Sequence, residues 1–383
     1  MNNYKKQPFI PAIQKTSTLF VLSVLSLLCF IVAFNSRIIS VSPSYNTKVE
    51  AAKYMEKALN FLKEERMEKG VFIDIENDPN ETGLVGSAFS LITTDEGDLD
   101  SKLTTLDPNF SAVIVDLFYK LKLEQGDTVA VLMTGSMPGA NIAVLTACKS
   151  MGIYPLIISS LGASQWGANQ VDFTWLDMEK IIYDKGLIDA KTISASIGGR
   201  NDMGRLLSPA GRKIIIDNIE IHKIPLIKEG SLSKNIDSRI NLFSSFKNLD
   251  KYDAFINVGG GVASLGTSFN LKLLPPGIVK PENFNSIKRP GGIEGVLAKF
   301  SKEGVPILHI LNIRPLVELY KMPFAPIPVP AIGSGSLYAE EKYNLFTTFI
   351  CLVIAAGGVV GVGLHSKKKI KQHLMQHEPD SLL

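Results

Sequence analysis

Two long apolar runs lie near the ends of the chain, and shorter apolar runs alternate with amphipathic segments between them. The terminal runs, 17–34 and 343–364, contain no charged residue, and each is close to the roughly 20 residues that span a bilayer. The alternative for the first run is a cleaved signal peptide, whose apolar core is usually about 7–15 residues long and precedes a small-residue cleavage site. Because neither feature is present, we favour a retained anchor and predict transmembrane helices over 17–36 and 343–364.

The segment after the first span has the pattern of a charged amphipathic helix. Thr47 and Glu50 have the spacing of a capping box, apolar residues then recur every three or four positions, and Gly70 is suited to the helix stop. We therefore predict a helix over 48–69. Residues 71–106 show no period and are predicted to form a long ordered loop, which is uncommon unless the loop is functional.

The rest of the body alternates strand and helix patterns. Residues 128–133 and 154–159 are apolar throughout, as expected of parallel strands covered on both faces, and a helix over 140–150 joins them. Further strands are predicted at 192–197, 224–227, 253–258 and 305–311, and further helices at 108–124, 174–185, 203–220, 234–247, 292–303 and 315–320. This alternation predicts an α/β fold: a doubly wound, mainly parallel sheet with Gly-rich strand-to-helix loops, flanked by two transmembrane helices.

Composition marks a further boundary near the second span. Four prolines between 323 and 330, followed by Gly333 to Ser336, predict a linker that is first extended and then flexible. The predicted organisation is a cytoplasmic tail (1–16), the first span (17–36), an extracytoplasmic α/β domain (38–322), a Pro/Gly/Ser-rich linker (323–342), the second span (343–364) and a basic cytoplasmic tail (365–383).

Charge is unevenly distributed along the chain. The formal net charge is +3, but the excess of bases lies in the tails, at Lys5, Lys6 and Lys15 before the first span and in the cluster 367–371 after the second. Under the positive-inside rule both termini are cytoplasmic, so the body lies outside the plasma (inner) membrane. The body itself carries slightly more acids than bases, and this balance gives no reason to expect nucleic-acid binding.

The sequence contains no pattern of a cofactor or metal site. Of the three cysteines only Cys148 belongs to the body, which excludes a disulfide within it, and no CxxC or Cys/His cluster is present. The G-x-x-x-x-G-K-[ST] motif of nucleotide-binding P-loops is also missing. We therefore expect no metal and no cofactor, and we expect Cys148 to be buried and inert.

Small polar residues and glycines follow four of the predicted strands. Parallel strands direct their carboxyl ends to one edge of a sheet, where ligands bind, and glycine lets a backbone approach a ligand closely. Each loop taken alone is also explained by the ordinary needs of a tight turn, but the four together favour an anion-binding site. The candidate binding residues are Thr134, Gly135, Ser136, Asn141, Ser160, Ser164, Gly198, Gly199, Arg200, Gly259, Gly260, Gly261 and Ser264.

Two of these residues have specific hypotheses. Arg200 is the cation of the four loops and is expected to bind a carboxylate; the alternative is an ion pair with Asp202 or with another acid on the surface. Ser136 is a weak candidate for a catalytic nucleophile, because Thr134 occupies the leading position of a G-x-S-x-G elbow. A catalytic Ser136 would need a base within about 3 Å of its hydroxyl.

Four long runs in the sequence resemble one known family. They are EERMEKGVFIDIENDPNETGLVG (64–86), TGSMPGANIAVL (134–145), SSLGASQWGANQVDFTWLDME (159–179) and VGGGVASLG (258–266). In these runs, and over most of its length, the chain is similar to the bacterial poly-gamma-glutamate system protein family. The resemblance implies a membrane-associated component in the synthesis or export of poly-gamma-glutamate, a capsular polyanion, and it implies no reaction or catalytic residue.

Two hypotheses of function follow. In the first, the chain is an accessory protein whose body binds poly-gamma-glutamate, another anionic ligand or a membrane subunit of the same system outside the cytoplasm. In the second, it is an extracytoplasmic hydrolase or transferase that acts on the polymer through a serine nucleophile. The sequence favours the first and leaves open whether the protein is an enzyme.

Overall fold

The computed structural model describes residues 9–267, 274–286 and 292–377. The chain divides into two compact units, one made of 42–338 and the other of 1–41 together with 339–383. The outer parts of both predicted tails, 1–8 and 378–383, lie outside the described residues.

The described part of the chain contains the following elements. The strands are β1 (Arg37–Val41), β2 (Thr128–Thr134), β3 (Tyr154–Ser160), β4 (Asn169–Gln170), β5 (Phe173–Thr174), β6 (Thr192–Ser196), β7 (Leu226–Ile227), β8 (Ala254–Val258), β9 (Gly277–Val279), β10 (Ile307–Ile310) and β11 (Ala339–Tyr343). The α-helices are α1 (Thr16–Asn35), α2 (Tyr45–Glu68), α3 (Leu99–Thr105), α4 (Asn109–Lys120), α5 (Pro138–Met151), α6 (Trp175–Asp184), α7 (Pro209–Ile221), α8 (Leu232–Phe246), α9 (Val262–Leu265), α10 (Pro281–Ser286), α11 (Val296–Lys302), α12 (Ile313–Glu318) and α13 (Leu345–His377).

The unit formed by the chain ends contains both apolar helices. By length and composition α1 and the part of α13 from Leu345 to Gln376 are able to cross a membrane. β1 and β11 pair antiparallel beside them, with Arg37 opposite Tyr343. α13 continues through the lysine cluster to His377, whereas the predicted span ends at 364. Lysine and glutamine favour helices, and the sequence has no glycine or proline between 365 and 377 that would stop one.

The body is built on a seven-stranded sheet in the order β7-β6-β3-β2-β8-β10-β9. All neighbouring strands are parallel except β9, which runs antiparallel to β10. Alternate β2 residues enter two separate apolar clusters, Val129 and Val131 one and Ala130 and Leu132 the other, so the sheet is covered on both faces. The prediction of an α/β fold with β2 and β3 as central, adjacent, parallel strands is therefore confirmed.

The helix predicted over 48–69 is present as α2, but its predicted start and the prediction that 71–106 is all loop are wrong. α2 starts at Tyr45 rather than after the predicted capping box, and the Thr47 hydroxyl contacts the Tyr119 hydroxyl instead of capping the helix. Packing of the Tyr45 ring edge-on against Tyr338 explains the additional turn. α3 lies within the predicted loop 71–106, and its seven residues are too few for a helical period to be recognised.

The Pro/Gly/Ser-rich segment packs on the body as far as Tyr338 and is not a free linker there. The Asn80 side chain donates to the carbonyl of Pro326 at 2.8 Å, and the Asn109 side chain donates to that of Pro330 at 3.0 Å. Tyr338 is fully buried, and its hydroxyl contacts the side-chain oxygen of Asn109 at 2.7 Å. Prolines keep a carbonyl acceptor, so side chains of the body fix a segment whose composition suggested flexibility.

Candidate functional site

A cleft of about 700 Å³ opens at the carboxyl edge of the sheet. Segments that follow β2, β3, β6 and β8 line it, together with the segment that leads into α3. The candidate binding residues among its lining are Thr134, Ser136, Ser160, Ser164, Gly198, Gly199, Arg200, Gly260 and Gly261. The loops thus converge, as expected from the common direction of parallel strands.

Two of the remaining candidates, Gly135 and Gly259, shape the backbone of these loops. A Cβ atom on Gly135 would lie 2.4 Å from the carbonyl oxygen of Leu161. Gly259 has φ near +89°, and a Cβ atom there would lie 2.2 Å from the Thr134 hydroxyl. Both positions therefore require glycine for steric reasons that involve no ligand.

Asn141 and Ser264 are buried beside the cleft. The Asn141 amide donates to the carbonyl of Thr134 at 2.9 Å, which fixes the end of β2 against α5. Ser264 lines a separate cavity of about 20 Å³, room for roughly one water molecule. The Thr134 and Ser264 hydroxyls are both buried and have no hydrogen-bond partner within the described residues.

Lys102, which the sequence did not single out, lies inside the cleft. It belongs to α3, is 4% exposed, and donates from Nζ to the carbonyl of Ser136, to Ser164 Oγ at 2.9 Å and to Met137 Sδ at 3.3 Å. Burial lowers the pKa of Lys102 to about 7, and the negative charge of Asp98 opposes this only in part. No motif could have identified it, because its surroundings are created by distant parts of the chain.

Ser136 lacks the base that its catalytic role would require. Its hydroxyl accepts the backbone N–H of Ser164 at 2.9 Å, and no lysine, histidine or carboxylate of the described residues hydrogen-bonds to it. The two histidines of the body are engaged elsewhere, His222 with Asp177 and His309 with Asn257.

Arg200 lies at the mouth of the cleft. Its side chain is exposed and has no ion pair or hydrogen bond within the described part of the chain. The alternative of an ion pair with Asp202 is wrong, because Asp202 points inward and pairs with the buried Arg239 of α8 at 2.8 Å. Gly198 and Gly199, with φ near +79° and +66°, form the turn after which the Arg200 side chain points outward and the Asp202 side chain points inward.

The mouth also carries negative charge. Asp95, Glu96 and Asp98, in the segment before α3, are exposed and line the cleft. Arg200 and Lys102 are the lining cations among the described residues. The cleft therefore has mixed charge and is not a uniformly basic surface.

Comparison of the chain with protein-family models, with curated proteins and with solved structures finds no match. The resemblance to the poly-gamma-glutamate system family therefore stays a prediction from the sequence motifs. Three of the four runs that carry it, 134–145, 159–179 and 258–266, contribute residues to the cleft.

Proposed function

We propose that the chain is a membrane-anchored component of poly-gamma-glutamate synthesis or export, whose body binds an anionic polymer or a partner subunit outside the cytoplasm through the cleft. The observation that carries this proposal is Arg200, an exposed guanidinium at the mouth of the cleft that has no ion pair or hydrogen bond with any residue the structure describes. Guanidinium pairs bidentately with carboxylates, and poly-gamma-glutamate carries one free carboxylate on each residue.

The mixed charge of the mouth limits how such a polymer binds. Asp95, Glu96 and Asp98 repel a long stretch of carboxylates, whereas Arg200 attracts one. We infer that the cleft holds one or two residues of the polymer, with a carboxylate on Arg200. Screening by salt should weaken this contact, because Arg200 is exposed.

Replacing Arg200 by alanine should weaken binding of poly-gamma-glutamate by about 1.5–3 kcal/mol, or roughly 10- to 100-fold in Kd, because a charged hydrogen bond is lost. Folding should be unaffected, since the side chain is exposed. Calorimetric titration of the purified protein with poly-gamma-glutamate, and with polyaspartate for specificity, measures this effect.

Arg205→Ala is the matched control, because Arg205 is an exposed arginine of the same loop and lies outside the cleft lining. It should leave the Kd within about twofold. An equal loss of affinity in the two variants would mean that binding depends only on the net charge of the protein. An unchanged Kd for Arg200→Ala would show that Arg200 does not contact the polymer.

The proposed location has a separate test. The lysines before the first apolar helix and after residue 366 favour a cytoplasmic position for both ends and an extracytoplasmic body in the plasma membrane. A phosphatase reporter that is active only outside the cytoplasm should work when fused after Leu337 and fail when fused after Leu383. Activity of the Leu383 fusion would contradict the two-span arrangement.

A further inference from the structure

The surroundings of Lys102 Nζ are unusual for a buried lysine. The described residues offer it no carboxylate in an ion pair; its hydrogen-bond partners are the Ser136 carbonyl, Met137 Sδ at 3.3 Å and Ser164 Oγ at 2.9 Å. The charged group that acts on it is Asp98, at the N-terminus of its own helix. The other charged residues of the cleft lining are Asp95, Glu96, Arg200 and Asp202. Lysines are almost never fully buried unless a charge neutralises them, so this arrangement is costly for stability.

The three partners satisfy both protonation states of the amine. As an ammonium group, Nζ donates to the carbonyl, the thioether and the serine hydroxyl. As a neutral amine, Nζ still donates to two of these partners and accepts the hydroxyl proton of Ser164 with its lone pair. Burial, which lowers the pKa of Lys102 to about 7, makes both states available near neutral pH.

We propose that Ser164 and Lys102 form a nucleophile–base pair that cleaves an amide or ester bond of a substrate bound in the cleft, or transfers its acyl group. Ser164 lines the cleft, and its hydroxyl lies within hydrogen-bond distance of Nζ, as such a pair requires. The backbone N–H of Ser164 donates to the hydroxyl of Ser136, which holds the nucleophile in position. Ser136 is thus a positioning residue.

The reaction has two steps, acylation of Ser164 and hydrolysis of the resulting serine ester. Ser164 Oγ attacks the carbonyl carbon and transfers its proton to Lys102 Nζ, and collapse of the tetrahedral intermediate breaks the bond to the leaving amine or alcohol, which takes the proton from Nζ. Water then attacks the resulting serine ester, with Lys102 again accepting a proton and returning it to Oγ. The products are a carboxylic acid, an amine or alcohol, and free Ser164.

The substrate class follows from the charges of the same cleft, and this step rests on the proposed function. In a gamma-linked glutamate the carboxylate lies on the residue that also carries the scissile carbonyl. Arg200 at the mouth would hold that carboxylate while the carbonyl reaches Ser164 inside. The expected substrate is therefore a gamma-glutamyl amide.

A fluorophosphonate probe tests the pair independently of polymer binding. In the detergent-solubilised full chain, Ser164 Oγ should displace fluoride, and peptide mass spectrometry should find the adduct on Ser164. The labelling rate should rise with pH and level off above about pH 7, because only the neutral amine accepts the proton. Ser164→Ala should abolish this adduct.

Lys102→Met keeps the length of the side chain and removes the base, so labelling should fall at least 100-fold. The pH profile of the wild-type protein needs no variant and covers the case in which Lys102→Met does not fold. Ser150→Ala is the matched control: this serine of α5 donates to the Ala147 carbonyl and lies outside the cleft, and labelling should be unchanged.

The proposal is overturned by an adduct on Ser136 instead of Ser164, by the absence of an adduct between pH 6 and 9, or by wild-type labelling of folded Lys102→Met. Labelling of a protein that does not bind poly-gamma-glutamate would support the pair and contradict the proposed function. Binding of poly-gamma-glutamate without labelling of Ser164 would support the proposed function and contradict the nucleophile–base pair.

Discussion

Replacing Arg239 by methionine should lower the free energy of unfolding of the body by about 3–5 kcal/mol, because it leaves the carboxylate of Asp202 buried without a countercharge. Arg239 is 2% exposed and Asp202 is 3% exposed, and their charged atoms lie 2.8 Å apart. Ser196 completes the cluster, since its hydroxyl donates to Asp202 at 2.7 Å and accepts from Arg239 at 2.7 Å. Burial raises the pKa of Asp202, so the isolated carboxyl would be protonated on folding.

Urea unfolding of residues 42–338, followed by circular dichroism, measures this loss. The double variant Arg239→Met/Asp202→Asn should recover a large part of it, because no charge is then left buried. Lys247→Met is the matched control: Lys247 pairs with Asp253 at 3.4 Å near the surface, and its loss should cost less than about 1 kcal/mol. If Arg239→Met cost no more than this control, the buried pair would have no special role in stability.

The same pair connects stability to the cleft. Asp202 closes the short turn that starts at Arg200, and Arg239 anchors it from α8. The pair thereby fixes where the Arg200 side chain leaves the backbone. Buried ion pairs often add little net stability compared with apolar side chains of similar size. The buried cluster at this point is therefore consistent with a role in fixing the geometry of the turn rather than in stabilising the fold.

The sequence predicted those features that depend on local pattern. The apolar runs of β2 and β3 could be recognised because strands covered on both faces carry no polar alternation. α5 was recognised from its apolar stretch and from Gly152, which adopts the left-handed conformation directly after it. Convergence of the loops then followed from the common direction of the strands.

The features that were missed depend on contacts between distant parts of the chain. Lys102 is buried by Ser136 and Ser164, which lie 34 and 62 positions away in the sequence. Contacts between residues so far apart produce no recognisable pattern in the sequence around Lys102. The alternative considered for Arg200 was an ion pair with Asp202, two positions further along the chain, but Asp202 pairs with Arg239 of α8. Proximity in sequence was therefore a poor guide to which charged side chains around the cleft pair with each other.

Glu179 should make the body less stable as the pH rises from about 4.5 to 7. It is 1% exposed on α6 and accepts the backbone N–H of Thr192 at 2.9 Å and the Thr192 hydroxyl at 2.8 Å. Burial raises its pKa from 4.5 to about 7. The folded state thus binds a proton that the unfolded state has released, so the stabilisation is complete below pH 4.5 and is lost as the pH rises through 7.

A shift of this size corresponds to about 3 kcal/mol, and Glu179→Gln should abolish it because the amide does not ionise. Asp107, with its pKa raised to about 6 by burial, and His309, with its pKa lowered to about 4, titrate in overlapping ranges with opposite effects on stability. The useful quantity is therefore the difference between variant and wild type in urea unfolding at pH 5, 6, 7 and 8. This difference should favour the variant increasingly toward pH 8. The exposed Glu220→Gln should follow the wild type throughout, and parallel curves for Glu179→Gln and wild type would mean that Glu179 stays ionised in the folded protein.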